Sequence, residues 1–432
     1  MIANPVPADI VGRGIRDGAA LFRQRFTDLT AAAERGHPTA YVFVMGSLAE
    51  ILRCFDFELV FPEITSLQTA VRGAAHEYLG QAEDYGYSPD ICGYVKADVA
   101  LQLRGGAHPM GRVPRPALAV QTNACNTYLK WSEIWERFYG TPVFTLDVPG
   151  TRQAGRRTWP GDPDFEADKL YVARQIDELI DQCASLTGIA FDIDRLREVM
   201  DHTNSMIRAW QQLIELNKHA PAPFNALTDG TVYLGVINAF RGTPEGRAYF
   251  DDLVAEMRHK VAHGIGAVPD ESYRLMFLGI PCYPIFRRFN ELFTIPGGNF
   301  VNSTYLWFAA GGANTGFQYD LDHPLDSLAE GVLISVRDAM DSMFFQTQAL
   351  VDLAEPFDVD GIVFHAIKSC RTVSTGLADT RRALMAARDI PTLFIESDMM
   401  DRRVVSEAQL KNRIDAFFEN LATRRRRVAL DR

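Results

Sequence analysis

Several features that would indicate other classes of protein are missing from this 432-residue sequence. No apolar run is long enough to span a membrane, and the N-terminus lacks the basic-then-apolar pattern of a secretory signal. The formal net charge is -11, whereas a protein that binds nucleic acid needs a basic surface. We therefore expect a cytoplasmic protein with no membrane and no nucleic acid among its partners.

Two common enzyme motifs are missing as well. The sequence has no Gly-x-x-x-x-Gly-Lys-Ser/Thr loop, so we expect no P-loop ATPase activity in this chain. It also has no Gly-x-Ser-x-Gly elbow of the α/β-hydrolase type. The six cysteines include no Cys-x-x-Cys pair, which disfavours a zinc site. In a reducing compartment they are expected to be free thiols, metal ligands or redox groups rather than disulfides.

Short apolar strands alternate with helical patterns along both ends of the chain, which is typical of parallel sheets covered by helices. The pattern predicts an α/β fold class, with two Rossmann- or flavodoxin-like parallel-sheet domains joined by a helical segment. The expected parts are an N-terminal helical arm (1–38), a first α/β domain (39–160), the helical segment (161–268) and a second α/β domain (269–432). Two domains joined in this way leave a cleft between them, where small-molecule sites are common.

Within the first domain, one helix is expected from Ser66 to Tyr85, and another is expected to start at Ser88-Pro-Asp90. The second of these places Cys92 in a first helical turn.

Three cysteines share one local setting. Cys92, Cys125 and Cys370 each lie at or just before a predicted helix start, and Cys125 and Cys370 also follow predicted strand ends. Ligands bind at the carboxyl ends of parallel strands, and helix N-termini favour thiolates. Three thiolates from separate loops would suit an iron–sulfur cluster, although their spacing matches no compact ferredoxin pattern. The alternative is that they are buried, inert cysteines.

The other three cysteines give weaker signals. Cys54 and Cys183 lie in helical segments and are expected to be small core residues. Cys282 follows a predicted strand, so it is a candidate extra ligand or pocket residue, with core packing as the alternative.

Carboxylates and one histidine also follow strand ends. Glu63 comes after one strand, and Glu396 and Asp398 come after another. Partly desolvated carboxylates in such places can act as acid or base, although capping or a salt bridge between domains is the alternative. His365, next to the Cys370 loop, could relay protons or be structural.

Taken together, these residues resemble the 2-hydroxyacyl-CoA dehydratase / benzoyl-CoA reductase family over nearly the whole chain. Within that family the sequence looks most like the B-type (beta) subunits of ATP-dependent benzoyl-CoA reductases. The segments that carry the resemblance are 50–57 with 61–63, 90–96, Cys125 with Lys130 and Trp131, 191–197, 240–243, 363–370 and 394–398.

The resemblance implies that Cys92, Cys125 and Cys370 each contribute a thiolate to one 4Fe-4S cluster. It also implies a homologous iron–sulfur subunit as partner, and a separate ATP-hydrolysing activator that delivers electrons at low potential. An acyl-CoA thioester would be the substrate, and its carbonyl would accept one electron to give a ketyl radical anion. The absence of an ATPase motif from this chain fits that division of labour.

The resemblance favours a reductase over a dehydratase, because Met45 aligns with a serine of the dehydratases, whereas Glu63 is shared. Cys54 also matches the reductases better. We expect reduction of an aromatic acyl-CoA to a cyclic dienoyl-CoA, with Glu63 moving protons. The alternatives are a subunit of a radical 2-hydroxyacyl-CoA dehydratase and a non-catalytic electron-relay subunit whose partner binds the substrate.

Overall fold

The computed structural model describes residues 10–150, 158–344, 350, 353–387 and 389–430. Residues 1–9 of the predicted N-terminal arm therefore lie outside the described part of the chain. Numbered in chain order, the α-helices are α1 (Arg13–Arg35), α2 (Ala49–Arg53), α3 (Pro62–Val71), α4 (Ala75–Asp84), α5 (Gly93–Leu103), α6 (Asn126–Tyr139), α7 (Pro163–Thr187), α8 (Ile193–Leu216), α9 (Thr228–Ala239), α10 (Pro244–Ala262), α11 (Phe286–Thr294), α12 (Thr304–Phe308), α13 (Pro324–Phe344), α14 (Arg371–Ser374), α15 (Leu377–Ala387) and α16 (Glu407–Leu430).

The strands form two four-stranded sheets and one short hairpin. They are β1 (Thr39–Val42), β2 (Glu58–Val60), β3 (Ala107–His108), β4 (Gly111–Arg112), β5 (Leu118–Thr122), β6 (Val143–Leu146), β7 (Tyr273–Leu278), β8 (Gly298–Ser303), β9 (Gly361–Ile367) and β10 (Thr392–Ser397). The first sheet has the order β2-β1-β5-β6 and the second has the order β10-β9-β7-β8. Every pairing in these two sheets is parallel, while β3 and β4 pair antiparallel. The predicted α/β class with two parallel sheets is confirmed.

The two large sheets have the same topology. If the strands are numbered within their own sheet, both follow the order 2-1-3-4, as flavodoxin-like sheets do. In each sheet the chain passes from the second strand, at one edge, over the first strand to the third, so the switch points lie between β1 and β5 and between β7 and β9. The loops that leave such a pair at its carboxyl ends diverge and open a crevice. Each sheet therefore offers one crevice for a ligand.

Local sequence explains most of these elements. Strands β1, β5 and β8 are buried at every residue, as expected for parallel strands covered on both faces by helices. The long helices α8 and α10 begin where side-chain oxygens accept hydrogen bonds from free backbone N–H groups. Asp192 accepts from the amides of Asp194 and Arg195, and Thr243 accepts from that of Gly246.

Two expectations within the first half were wrong. The helix predicted from Ser66 to Tyr85 is interrupted between α3 and α4, where Gly73 has a left-handed backbone (φ +75°). The helix predicted to start at Ser88 begins only at Gly93. The Ser88 hydroxyl instead accepts a 3.2 Å hydrogen bond from the Asp90 amide, which closes a local turn that competes with the helix.

One buried hydrophobic cluster includes side chains from both large sheets and from the helices between them. The limits predicted for the arm, the helical segment and the two α/β domains stay a prediction. No helix in the described ranges has both the length and the hydropathy needed to cross a membrane.

Candidate functional site

Cys125 and Cys370 occupy equivalent positions in the two sheets. Each is the third residue after the third strand of its sheet (β5 and β9), and each is the N-cap residue of the helix that follows. Both therefore leave the sheet at its switch point. Cys92 is the N-cap of α5, which lies in the crossover between the second and third strands of the first sheet. All three cysteines directly precede a helix, whereas the predicted helix start at Ser88 had placed Cys92 inside a first turn.

Contacts between the loops bring these cysteines into one region. The Sγ atom of Cys125 lies 3.6 Å from Oγ1 of Thr372, two residues after Cys370. On the other side, Gly93 allows α5 to approach the Cys370 loop closely. A Cβ built on Gly93 would lie 2.6 Å from Cβ of Met400 and 3.4 Å from Oγ of Ser369. The start of α5 therefore packs against the residue that precedes Cys370.

Asp398 holds the loops of the second sheet together. Its carboxylate is buried and accepts hydrogen bonds from the backbone amides of Ser369 (2.8 Å), Met400 (2.8 Å) and Asp401 (2.9 Å). Asp398 therefore caps backbone amides, which is the alternative to a role as acid or base that the sequence left open. Glu396 is exposed and lies 3.7 Å from the amino group of Lys368.

The three thiols influence one another electrostatically. Burial raises the pKa of the Cys92 thiol, and the nearby thiols of Cys370 and Cys125 raise it further. Burial likewise raises the pKa of the Cys370 thiol to about 12, and Cys125 adds to the rise, while the amide of Val373 opposes it. Three thiolates at this place would repel one another, so ionising them all requires a positive charge between them.

This arrangement fits an iron–sulfur cluster in its donor chemistry. Cysteine thiolates are the ligands that such clusters take, and the irons would supply the missing positive charge. Within the described ranges, no three His, Cys, Asp or Glu side chains are grouped closely enough to hold a metal ion. In an iron–sulfur cluster each cysteine binds a different iron atom. The ligands can therefore lie further apart than the ligands of a single metal ion. One buried oxygen beside the cysteines, Ser369 Oγ, also lacks a hydrogen-bond partner.

Glu63 lies in the first turn of α3, directly after β2. Its side chain is buried, and Oε1 accepts hydrogen bonds from the Tyr128 hydroxyl (2.6 Å) and the Val44 amide (3.3 Å). Oε2 has no partner. Burial raises the pKa of the Glu63 carboxyl to about 7, although the two hydrogen bonds oppose this. A carboxyl with such a pKa exchanges protons readily near neutral pH.

Glu63 is part of the wall of a mainly apolar cavity of about 240 Å³. The apolar wall includes Phe22, Leu67, Val232 and Phe286, from four different helices. The Tyr305 side chain also lines it. The cavity can therefore enclose an apolar group with an ionisable carboxyl at its edge.

Tyr128 connects this cavity to the cysteines. It lies in the first turn of α6, the helix that begins after Cys125, and its ring stacks on Phe43 at a centroid distance of 3.9 Å. Burial raises its pKa well above the usual value, and the charges of Glu63 and Cys125 raise it further. Tyr128 was not among the residues predicted from the sequence, although its three-residue distance from Cys125 places both near the start of one helix.

The remaining cysteines lie elsewhere. Cys54 and Cys183 are buried close to each other, and burial raises the pKa of each thiol to about 12. Cys282 is fully buried, and burial raises its pKa to about 11, with the Ser397 side chain opposing the rise.

His365 is buried in the second sheet with both ring nitrogens bonded. Nδ1 donates to the Ile280 carbonyl and Nε2 accepts from the Ser397 hydroxyl, both at 2.6 Å. Burial lowers the pKa of this imidazole to about 4. The ring is therefore neutral and held on both sides, which is the structural role rather than the proton relay.

Comparison with known proteins gives one family and several relatives. Residues 47–421 match the model of the family described as 2-hydroxyglutaryl-CoA dehydratase, D-component. The chain is 31% identical over 415 residues to the B-type subunit of benzoyl-CoA reductase from Thauera aromatica, with 93% of each chain covered. It is 26% identical over 413 residues to the (R)-2-hydroxyisocaproyl-CoA dehydratase alpha subunit of Clostridioides difficile, covering 94% of this chain and 95% of the relative. It is 27% identical over 381 residues to the lactoyl-CoA dehydratase alpha subunit of Anaerotignum propionicum, covering 84% of this chain and 85% of the relative.

Proposed function

The chain belongs to the 2-hydroxyglutaryl-CoA dehydratase D-component family, and from that membership we propose that it is an iron–sulfur, substrate-binding subunit of a benzoyl-CoA reductase. The reaction would be the reduction of an aromatic acyl-CoA to a cyclic dienoyl-CoA by two electrons and two protons. The observation that carries the proposal is the placement of Glu63. Its carboxyl lines an apolar cavity and is hydrogen-bonded to Tyr128, on the helix that begins after Cys125.

Cys92, Cys125 and Cys370 would hold a 4Fe-4S cluster. When bound, the cluster would supply single electrons at low potential to the thioester carbonyl of the substrate, giving a ketyl-type radical. The sources of the electrons would be outside this chain, namely a homologous iron–sulfur subunit and an ATP-hydrolysing activator. The names of the relatives support a subunit role, because each of them is called a subunit of a reductase or a dehydratase.

The residues of the chain would then bind the ring and manage charge and protons. The apolar wall of Phe22, Leu67 and Phe286 would exclude water from an aromatic group, which strengthens electrostatic interactions with a developing negative charge. Glu63 would enter the reaction protonated and give its proton from Oε2, the oxygen that has no partner in the protein. Its pKa of about 7 means that the acid form is well populated at neutral pH.

A radical 2-hydroxyacyl-CoA dehydratase is the second candidate, since the family model and two of the relatives named above carry dehydratase names. The residue at position 45 favours the reductase. Met45 is buried, and it brings no hydroxyl where the resemblance places the serine of the dehydratases. Removal of a substrate hydroxyl group would have to proceed without that serine.

The experiment compares metal binding and substrate choice in the chain assembled with its partner subunit under anaerobic conditions. We expect Cys125→Ala to lower iron and sulfide content strongly, whereas the matched change Cys183→Ala, in a buried thiol away from the site, leaves them unchanged. With a reduced low-potential donor, the wild-type complex should reduce benzoyl-CoA and should not dehydrate a 2-hydroxyacyl-CoA. Full iron content in Cys125→Ala would refute the ligand assignment, and dehydration without reduction would support the second candidate. CoA-ester binding to the partner alone would support an electron-relay role.

A further inference from the structure

Tyr305 occupies in the second sheet the position that Glu63 occupies in the first. The second strand of the first sheet, β2, leads into α3, and Glu63 is the second residue of that helix. The second strand of the other sheet, β8, leads into α12, and Tyr305 is again the second residue. Both side chains line the same cavity. Each of the two sheets therefore brings one ionisable side chain to one space.

The hydrogen bonding of Tyr305 leaves its proton available. The Tyr283 hydroxyl donates to the Tyr305 oxygen at 3.0 Å, so that bond uses the proton of Tyr283. The hydroxyl of Tyr94 also faces the Tyr305 oxygen and acts towards it as a donor, so this contact likewise leaves the proton of Tyr305 unused. The ionisable groups around Tyr305 are thus Tyr283, Tyr94 and the Glu63 carboxyl, and Arg72 lies elsewhere in the cavity wall. Burial raises the pKa of Tyr305, so the phenol stays protonated throughout the physiological range.

The proposed reaction needs a second proton donor. Two electrons and two protons convert an aromatic ring to a diene, and Glu63 accounts for only one of the protons. We propose that Tyr305 is a catalytic residue that donates the other proton to a ring bound in the cavity. This inference rests on the proposed function. It adds a donor on the opposite sheet, in the position equivalent to Glu63.

The step balances as a simple proton transfer. Addition of the second electron from the low-potential donor converts the ring to a carbanion. The electron pair of this carbanion forms a C–H bond while the O–H bond of Tyr305 breaks. The tyrosinate that remains is stabilised by the hydrogen bond from Tyr283 and regains its proton from water when the product leaves. A phenol is acidic enough for so basic an acceptor. Because it is neutral beforehand, it costs less to bury beside an aromatic ring than a second carboxylate would.

The test uses the wild-type complex, with its partner subunit and a reduced low-potential donor, beside Tyr305→Phe. The control is Tyr85→Phe, which removes a hydroxyl from a tyrosine that is 56% exposed. We expect Tyr305→Phe to lower benzoyl-CoA reduction about 100-fold, the usual contribution of a general acid, with iron content and the Kd for benzoyl-CoA within about twofold of wild type. Its pH profile should keep the wild-type shape, because Glu63 still titrates. Tyr85→Phe should match wild type.

Other outcomes separate this inference from the proposed function. Turnover of Tyr305→Phe within about threefold of wild type would overturn the inference and leave the proposed function standing. A wild-type complex that carries iron and reduces no aromatic acyl-CoA would overturn both. If Tyr305→Phe loses iron, Tyr283→Phe decides, because Tyr283 donates to Tyr305 and is not part of the cavity wall. A fall of about tenfold in the turnover of Tyr283→Phe, with its iron content complete, would support the inference. Unchanged turnover of that variant would refute it.

Discussion

The hydroxyl of Tyr128 donates a 2.6 Å hydrogen bond to Oε1 of Glu63, so the candidate acid is fixed by the helix that begins after Cys125. The bond occupies one carboxyl oxygen and leaves the other without a partner. Two elements of the proposed site, the thiols and the proton donor, are therefore linked through one buried side chain.

Replacing Tyr128 with Phe should move the pH dependence of turnover to higher pH. The hydrogen bond favours the charged carboxylate, so its loss raises the pKa of Glu63 above about 7, by roughly one unit for a hydrogen bond to a charged group. An acid that must be protonated then stays active to higher pH. Turnover measured from pH 5.5 to 9 tests this. The control is Tyr171→Phe, which removes an exposed hydrogen bond from tyrosine to Asp147. If the alkaline limb of the pH–turnover curve did not move in Tyr128→Phe, the assignment of Glu63 as the acid would be contradicted.

Glu63 should also make stability depend on pH. Its pKa is raised from 4.5 to about 7 in the folded protein, so the folded state holds a proton that the unfolded chain releases. The contribution of Glu63 to stability is therefore fully present below pH 4.5 and is lost as pH rises through 7, by up to roughly 3 kcal/mol. Glu63→Gln should lack this loss. Urea unfolding of the metal-free chain at pH 5 and pH 8 measures the difference.

The control for that measurement is Glu396→Gln, which changes an exposed carboxylate of β10 in the second sheet. It should keep the wild-type difference between the two pH values. A Glu63→Gln protein with an unchanged difference would show that Glu63 is not buried as a neutral acid.

Gly93→Ala should separate the start of α5 from the Cys370 loop. The new methyl group would lie 2.6 Å from Cβ of Met400, so the chain must shift, at a cost of about 1–3 kcal/mol. Because Cys92 precedes Gly93, iron retention should fall together with stability. The matched change Gly80→Ala, inside α4 with open space around it, should stabilise by about 0.5–1 kcal/mol. Thermal unfolding and iron content are measured together, and equal behaviour of the two variants would refute the close packing.

Ala19→Trp should block the cavity. Ala19 is an exposed residue of α1 that lines the cavity, whereas its neighbour Ala20, which is also exposed, is not among the lining residues. We expect the Kd for benzoyl-CoA to rise at least about tenfold in Ala19→Trp, because the indole occupies space that the ring needs, and to stay unchanged in Ala20→Trp. Calorimetric titration of both variants gives the comparison. Equal affinities would mean that the ring binds elsewhere.

The sequence predicts local features of this site better than its assembly. The strand–loop–helix pattern around Cys125 and Cys370 is local, so their place before a helix could be read directly. The start of α5 could not be predicted from the sequence. Ser88 has the residue type of a helix N-cap, but its side chain closes a separate turn with the Asp90 amide. The packing of Gly93 against Met400 joins residues far apart in the sequence, and no local pattern indicates it.

The tyrosines were missed for a different reason. Tyr128 and Tyr305 each lie near the start of a helix, where the sequence offers no sign that distinguishes them from ordinary core aromatics. Their importance comes from where the hydroxyl points, towards Glu63 for Tyr128 and towards the cavity and Tyr283 for Tyr305. Such directions depend on contacts between segments and have no signature in residue spacing.

The likeness of the two sheets fails at Cys92. Cys125 and Cys370 form a matched pair, but the crossover of the second sheet that corresponds to the Cys92 crossover, residues 304–360, contains no cysteine. A cluster held by the three thiols, as proposed, would therefore take two ligands from loops of the first sheet and one from a loop of the second. Tyr305 lies at the beginning of that cysteine-free crossover, so the proposed second proton would come from the sheet that contributes the single thiol.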